Sequence, residues 1–226
     1  LKERVQRGAT RPLILRKVGI GDTWRSISAR DFYDEVQSVA AGLMARGLEP
    51  GDRVAIMSRT RYEWTLLDFA CWAAALVPVP IYETSSINQV AHVLVAADVN
   101  LIVTETVSMA EIVRAAAERE HRDNTHVLSL DSEAIDTLIA EGATVPRDRV
   151  AARADKLTTD DIATIVYTSG TTGTPKGTVL SHENFTNLCL HAHSWMPEIA
   201  AGKDSRLLLF LPLAHVFARF LQVFQI

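Results

Sequence analysis

The sequence has little cysteine, few aromatic residues and no surplus of positive charge, and no long apolar run in it goes unbroken. Two cysteines in 226 residues, Cys71 and Cys189, both in apolar surroundings, are too few for a disulfide scaffold or a zinc site. The opening residues do not read as a basic-then-apolar leader, and with so few cysteines a reducing, cytoplasmic setting is expected. A formal net charge of −4 gives no general footprint for nucleic acid. The greasiest stretch, 207–221, is broken by Pro212, His215 and Arg219. An arginine near a bilayer centre costs about 2.5–3.5 kcal/mol, so a buried strand running into a buried helix is expected there, not a membrane span. Contact with a membrane surface and a homodimer both stay open. The chain opens on Leu1 and closes at Ile226 inside an apolar run, as expected of a piece of a longer protein.

What is present is ample core material. Hydrophobic residues make up 48% of the chain, enough for one large or two small α/β units. Residues 12–18 and 23–24 form an expected hairpin around Gly19-Ile20-Gly21-Asp22. Ser28 can cap a helix to about Arg46, in which Phe32, Val36, Val39, Ala40, Leu43 and Met44 recur at helical spacing. Gly47 suits its stop. Further strands are expected at 54–58, 78–81, 100–104 and 126–130, with helices at 65–77, 87–97, 109–118 and 131–141. Pro78 and Pro80 confine their strand to an edge or to a strand start. The beat of helix and strand implies an α/β fold, a largely parallel sheet flanked by helices. A polar connection, 142–159, marks a sub-boundary at about 142–160. A strand at 160–167, a helix from Ser181 to about Trp195 and a strand at 206–211 complete the expectation.

One stretch cannot be explained by packing. Thr168-Ser169-Gly170-Thr171-Thr172-Gly173-Thr174-Pro175-Lys176-Gly177 holds three glycines, four threonines, a serine and one lysine, with no large apolar side chain. Glycine lets a ligand reach the backbone, and successive N–H groups can form an anion-binding concavity. Lys176 adds a point charge suited to phosphate. A nucleotide triphosphate loop is the functional reading; a flexible linker is the bland one. The Walker A pattern fails, because Lys176 is followed by Gly177 and not by Ser or Thr.

The remaining polar residues divide more evenly. Lys176 could be a solvated loop lysine, and the hydroxyls could be turn residues bonding their own backbone. A lone histidine such as His215 in an apolar run is more often a satisfied core residue than a catalytic one. His191 and His193, two apart on a helix, point to different sides and make a poor metal pair. Asp160 and Asp161 read as a solvated strand entry, and Trp64, Phe69 and Trp72 as core.

The full string from Tyr167 to Gly177 resembles the signature loop of the adenylate-forming superfamily, which contains acyl-CoA synthetases, aryl-CoA ligases, luciferases and adenylation domains. Leu211-Pro212-Leu213-Ala214-His215-Val216-Phe217 resembles the second motif of that superfamily in its long-chain acyl-CoA synthetase form. Ala218 stands where many of those enzymes carry a glutamate. Arg61-Tyr62-Glu63-Trp64 and Val79 to Ser85 are similar to the N-terminal part of the same subfamily. The resemblance implies that residues 1–226 are an incomplete N-terminal portion of the large domain of such an enzyme. It further implies ATP, Mg²⁺ and CoA as cofactor and co-substrates, and a carboxylic acid, by preference a fatty acid, as substrate. Ser169, Gly170, Thr171, Thr172, Gly173, Thr174, Lys176 and Gly177 would hold the phosphates, Thr168 would also reach Mg²⁺, and His215 would sit beside the substrate carboxylate or instead shape the acyl and thiol access path. The superfamily's adenine-, ribose- and hinge-bearing motifs would lie past Ile226, so this piece alone is expected to be inactive. An aryl or other acid–CoA ligase or adenylation domain, a P-loop NTPase or kinase, and a non-catalytic binding module are the alternatives.

Overall fold

The computed structural model describes residues 1–19, 23–122, 124–168, 175–195 and 206–226. After a short helix, α1 (Lys2–Gly8), the strands β1 (Pro12–Lys17) and β2 (Trp24–Ser28) pair antiparallel, as expected of the first hairpin. Ser28 then caps α2 (Ala29–Ala45), its hydroxyl accepting from the Asp31 amide at 3.1 Å. Gly47 follows with φ +82°, a left-handed turn open to glycine at no steric cost.

Four strands make the central sheet: β3 (Arg53–Met57), β4 (Val77–Ile81), β5 (Val99–Thr104) and β6 (His126–Ser129), ordered β4-β3-β5-β6 and all parallel. The helices between them are α3 (Tyr62–Ala73), α4 (Ile87–Ala96) and α5 (Val107–Arg119). Alternation along each strand divides the core in two. Val54, Ile56, Leu101 and Val103 face α2 and α3, together with Phe32, Trp64, Leu67 and Leu138. Ala55, Met57 and Ile102 face the other way, onto Val90, Leu94 and Val113 of α4 and α5. Both faces are covered, which is why these strands are nearly continuous apolar runs.

Several expectations need correcting. The second helix stops at Ala73, so Val77 opens β4 and does not end the helix. The expected helix from Asp131 begins as a 3-10 turn, Leu130–Ser132, and becomes α6 (Ala134–Gly142) only after Glu133. The polar connection holds a helix, α7 (Arg147–Ala154), which buries only Val150. Residues 206–211 pair with no strand among the described residues. They alternate inward at Leu209 and Leu211 and outward at Leu208 and Phe210, a strand-like pattern without a neighbour to complete it.

The strand before the glycine-rich loop, β7 (Ile162–Thr168), does not lead straight to a helix. The chain returns as β8 (Lys176–Ser181), antiparallel to β7, and only then enters α8 (His182–Trp195). The last helix, α9 (Val216–Gln225), buries Ala218, Arg219, Phe220 and Gln222. Helices α2 and α6 cross at Gly42 and Gly142, backbone against backbone.

Candidate nucleotide site at the β7–β8 hairpin

The hairpin is placed by β4. Pro78 and Pro80 leave one edge of that strand without N–H donors, and the Thr164 hydroxyl of β7 donates to Pro78 O at 2.7 Å. The Trp72 indole of α3 donates to Ala163 O at 2.8 Å. Two neighbouring residues of β7 are therefore tied to the sheet and to the helix beneath it. At the far end, Pro175 O is 2.8 Å from His92 Nε2 of α4, and the His92 ring meets the Tyr167 ring edge-on at 5.9 Å. Burial raises the Tyr167 phenol above its ordinary range, so it stays neutral.

Thr168 and Lys176 are opposite one another in the antiparallel register, both exposed, at the two ends of the loop. A hydroxyl and an ammonium stand together where the loop leaves the sheet. Gly177 pairs with Tyr167, and a Cβ there would come within 3.0 Å of the Tyr167 ring and 3.1 Å of Ile165. A side chain there would press on the Tyr167 ring and Ile165, which would have to yield by a few tenths of an ångström. Ser169, Gly170, Thr171, Thr172, Gly173 and Thr174 lie outside the described residues.

His215 stands on a separate segment, at the N-cap of α9, and is exposed. Its Nδ1 accepts from the Phe217 amide at 3.2 Å. An accepting Nδ1 leaves the proton on Nε2, so the free edge of the ring offers a donor. No described hydrogen bond joins His215 to the hairpin directly. The connection runs through Arg219, one turn further along α9.

Arg219 and Asp68 are both fully buried. Arg219 Nε donates to Asp68 Oδ2 at 3.2 Å and Nη2 to Oδ1 at 2.5 Å, while Nη1 donates to the Thr164 hydroxyl at 2.6 Å. Gln222 Nε2 donates to Asp68 Oδ2 at 3.1 Å, and the Thr65 hydroxyl donates to Gln222 Oε1 at 2.8 Å. The guanidinium lies 5.5–5.6 Å from the ring centroids of Trp64, Trp72 and Phe185. Burial pushes the Asp68 carboxyl up, and the guanidinium and the Gln222 amide pull it back. Arginine does not give up its proton, so the guanidinium stays charged and depends on Asp68 for its partner. This one side chain locks α3, α9 and β7 in place. It therefore sets where His215 and Thr168 stand relative to each other.

His182, the first residue of α8, packs edge-on to Trp72 at 5.5 Å, and burial lowers its imidazole below the usual range. At neutral pH it is an uncharged packing group at the base of the hairpin.

Among the described residues, no group of three His, Cys, Asp or Glu side chains could hold a metal ion. The exposed Thr168 hydroxyl is a hard oxygen donor. Its chemistry suits a hard cation such as Mg²⁺, to which it would supply one oxygen ligand.

The whole chain, residues 1–226, matches the family of AMP-binding enzymes. The chain belongs to that family. Among AMP-binding relatives, the long-chain-fatty-acid–CoA ligase FadD15 of Mycobacterium bovis is 40% identical over 202 residues, covering 88% of this chain and 34% of the ligase. Long-chain-fatty-acid–CoA ligase 5 of Rattus norvegicus is 25% identical over 214 residues, covering 88% of this chain and 31% of its own. The chain spans about a third of the length of these curated relatives. The crystal structure of ATP-bound MatB from Rhodopseudomonas palustris superposes with a TM-score of 0.74 at 27% identity, over 93% of this chain and 40% of that one. The fatty acid AMP ligase from Legionella pneumophila, at 16% identity and a TM-score of 0.72, shares the fold over 99% of this chain and 36% of its own.

Of the residues expected at the site, Thr168, Lys176 and Gly177 come together, and His215 stands apart on its own segment. Sequence reasoning missed His92, Thr164 and the Asp68–Arg219 pair. For the pair a signal existed: a lone aspartate in an apolar helix and a lone arginine in an apolar run each need a partner.

Proposed function

We propose that this chain is the phosphate-binding part of a fatty acid–CoA ligase, acting within a longer polypeptide. The carrying observation is the pairing of Thr168 with Lys176 at the mouth of the glycine- and threonine-rich loop. The loop takes the β- and γ-phosphates of ATP. A fatty acid carboxylate oxygen attacks the α-phosphorus, the bond to the bridging oxygen breaks, and pyrophosphate leaves with Lys176 balancing its charge. The thiol of CoA then attacks the acyl carbon and AMP departs, leaving the thioester. Hydroxide is a poor leaving group and AMP a good one, which is the reason for the intermediate.

The hairpin contributes positioning and charge neutralisation, not a covalent bond. His215, with Nε2 carrying the proton, donates to the carboxylate as it meets the phosphate. Mg²⁺, held by the phosphates, water and Thr168, would offset charge on the triphosphate. A cytoplasmic setting fits these substrates. A P-loop kinase or NTPase is disfavoured by the hairpin itself. Walker A loops deliver the phosphate to a helix N-terminus, whereas this loop returns as β8.

Loss of the Lys176 ammonium removes one charge-assisted contact, worth about 1.5–3 kcal/mol. In the intact protein Lys176→Ala should therefore weaken ATP binding by roughly ten- to a hundred-fold, as measured by calorimetry or by the KM for ATP. Unchanged affinity would remove Lys176 from the site.

A further inference from the structure

The loop between β3 and α3 sits at the switch point of the sheet, where β4 lies on one side of β3 and β5 on the other. In open parallel sheets this crevice at the carboxyl ends of the strands is where function concentrates. Here it is filled from within. Glu105, at the end of β5 and 6% exposed at its side chain, accepts from the Arg59 amide at 2.9 Å. It also takes Arg59 Nη2 at 2.6 Å and Nε at 3.0 Å. Arg61 Nη1 approaches the same carboxylate at 3.8 Å. The residue before Thr60 is therefore held by one nearly buried carboxylate, and the residue after it is in longer-range charge contact with the same group.

Thr60 spends its hydroxyl on a single target. Its Oγ1 donates to Leu211 O at 2.7 Å and accepts from the Leu213 amide at 3.1 Å. Between those two residues lies Pro212, which has no N–H to give, and 206–211 pair with no described strand. The hydroxyl takes the place of a strand partner for this segment. From there the chain is tightly determined. Leu213 and Ala214 are buried at 1% and 2% exposure, His215 N donates to Pro212 O at 2.9 Å, and the His215 ring accepts from Phe217.

We propose that Thr60 is a positioning residue for His215, with Glu105 holding Thr60 in turn. The proposal rests on the role given to His215 above. The Thr60 hydroxyl fixes the backbone two residues before the histidine, so the imidazole stays at the N-cap of α9 with Nδ1 accepting and Nε2 free to donate. No atom of Thr60 needs to touch substrate.

The test compares Thr60→Val, which keeps the shape and removes both hydrogen bonds, with Thr60→Ser, which keeps both, in the intact protein. Imidazole nitrogen NMR on labelled histidine reads the His215 tautomer, and kcat and the ATP KM for adenylate formation read the chemistry. Wild type and Thr60→Ser should show His215 as the single tautomer protonated at Nε2, while Thr60→Val should show both tautomers. With a displaced donor, kcat in Thr60→Val should fall about tenfold, with the ATP KM moved less than about twofold and serine restoring the rate. Should Thr60→Val fail to fold, Glu105→Gln replaces it and should shift the same histidine signal in the same direction. A wild-type histidine spectrum and rate in Thr60→Val would overturn the proposal. So would a serine variant as impaired as the valine one, or a lower kcat that comes with a raised ATP KM and a loss of thermal stability. If wild type forms no adenylate, the functional reading fails, and the histidine spectrum still decides whether Thr60 positions the ring.

Discussion

Asp68→Ala is expected to destabilise the domain by about 3–5 kcal/mol, the cost of leaving a buried ion without its partner. Arg219 cannot neutralise itself by losing a proton, and both side chains are fully buried, so the guanidinium is left away from bulk water without its carboxylate. Three aromatic faces surround the guanidinium, and they do not substitute for two direct hydrogen bonds. Gln222 loses the acceptor for its amide in the same step. A loss of this size is a large share of the roughly 5–15 kcal/mol that holds a typical domain together. Urea unfolding of the intact protein, followed through the tryptophans, checks it; a change under about 1 kcal/mol would mean the pair is not closed to water. Replacing both ions by apolar side chains of similar size should cost far less. It would, however, cut the link from α9 to Thr164, so ATP affinity should fall while stability is largely kept.

Gly42→Ala is the second large effect. A Cβ on Gly42 would lie 2.0 Å from Leu138 O and 2.5 Å from Leu138 C, and a Cβ on Gly142 would lie 2.5 Å from Gly42 N. These are backbone atoms in the middle of α6 and the last turn of α2, so no rotamer change makes room. The two helices must separate, which loosens the packing around Leu43 and Leu138, both at 0% exposure. Overpacking of this kind costs about 1–3 kcal/mol or more. The better helix propensity of alanine returns about 1 kcal/mol at most. A net loss of about 1–2 kcal/mol is expected, read as a lower urea midpoint at unchanged slope. A variant as stable as wild type would show that the crossing is loose.

The sequence made the chemistry easier to see than the mechanics that hold it. The loop from Thr168 to Gly177 stood out because nothing in it can be buried, and the parallel sheet because its strands are apolar on both faces. Helix α7 went unseen since it buries only Val150, which leaves no apolar stripe to detect. The strand β8 was missed because none of its residues is buried, Val179 being 55% exposed, so the pairing with β7 and not burial holds it. Residues 206–211 alternate as a strand would, but alternation does not supply a neighbour. Asp68 and Arg219 each announced an unmet need, and only the fold could show that 151 positions of sequence separation close to one ion pair. Thr60, His92 and the Gly42–Gly142 crossing left no local trace, because each acts on a segment remote in sequence.

The central claim is that a carboxylic acid takes the adenylyl group from ATP held at the β7–β8 hairpin. It is tested most directly by exchange of radiolabelled pyrophosphate into ATP, catalysed by the intact protein with and without a long-chain fatty acid. Exchange that requires the acid and falls with Lys176→Ala is the expected result. Exchange independent of the acid, or release of phosphate and ADP in its place, would contradict it.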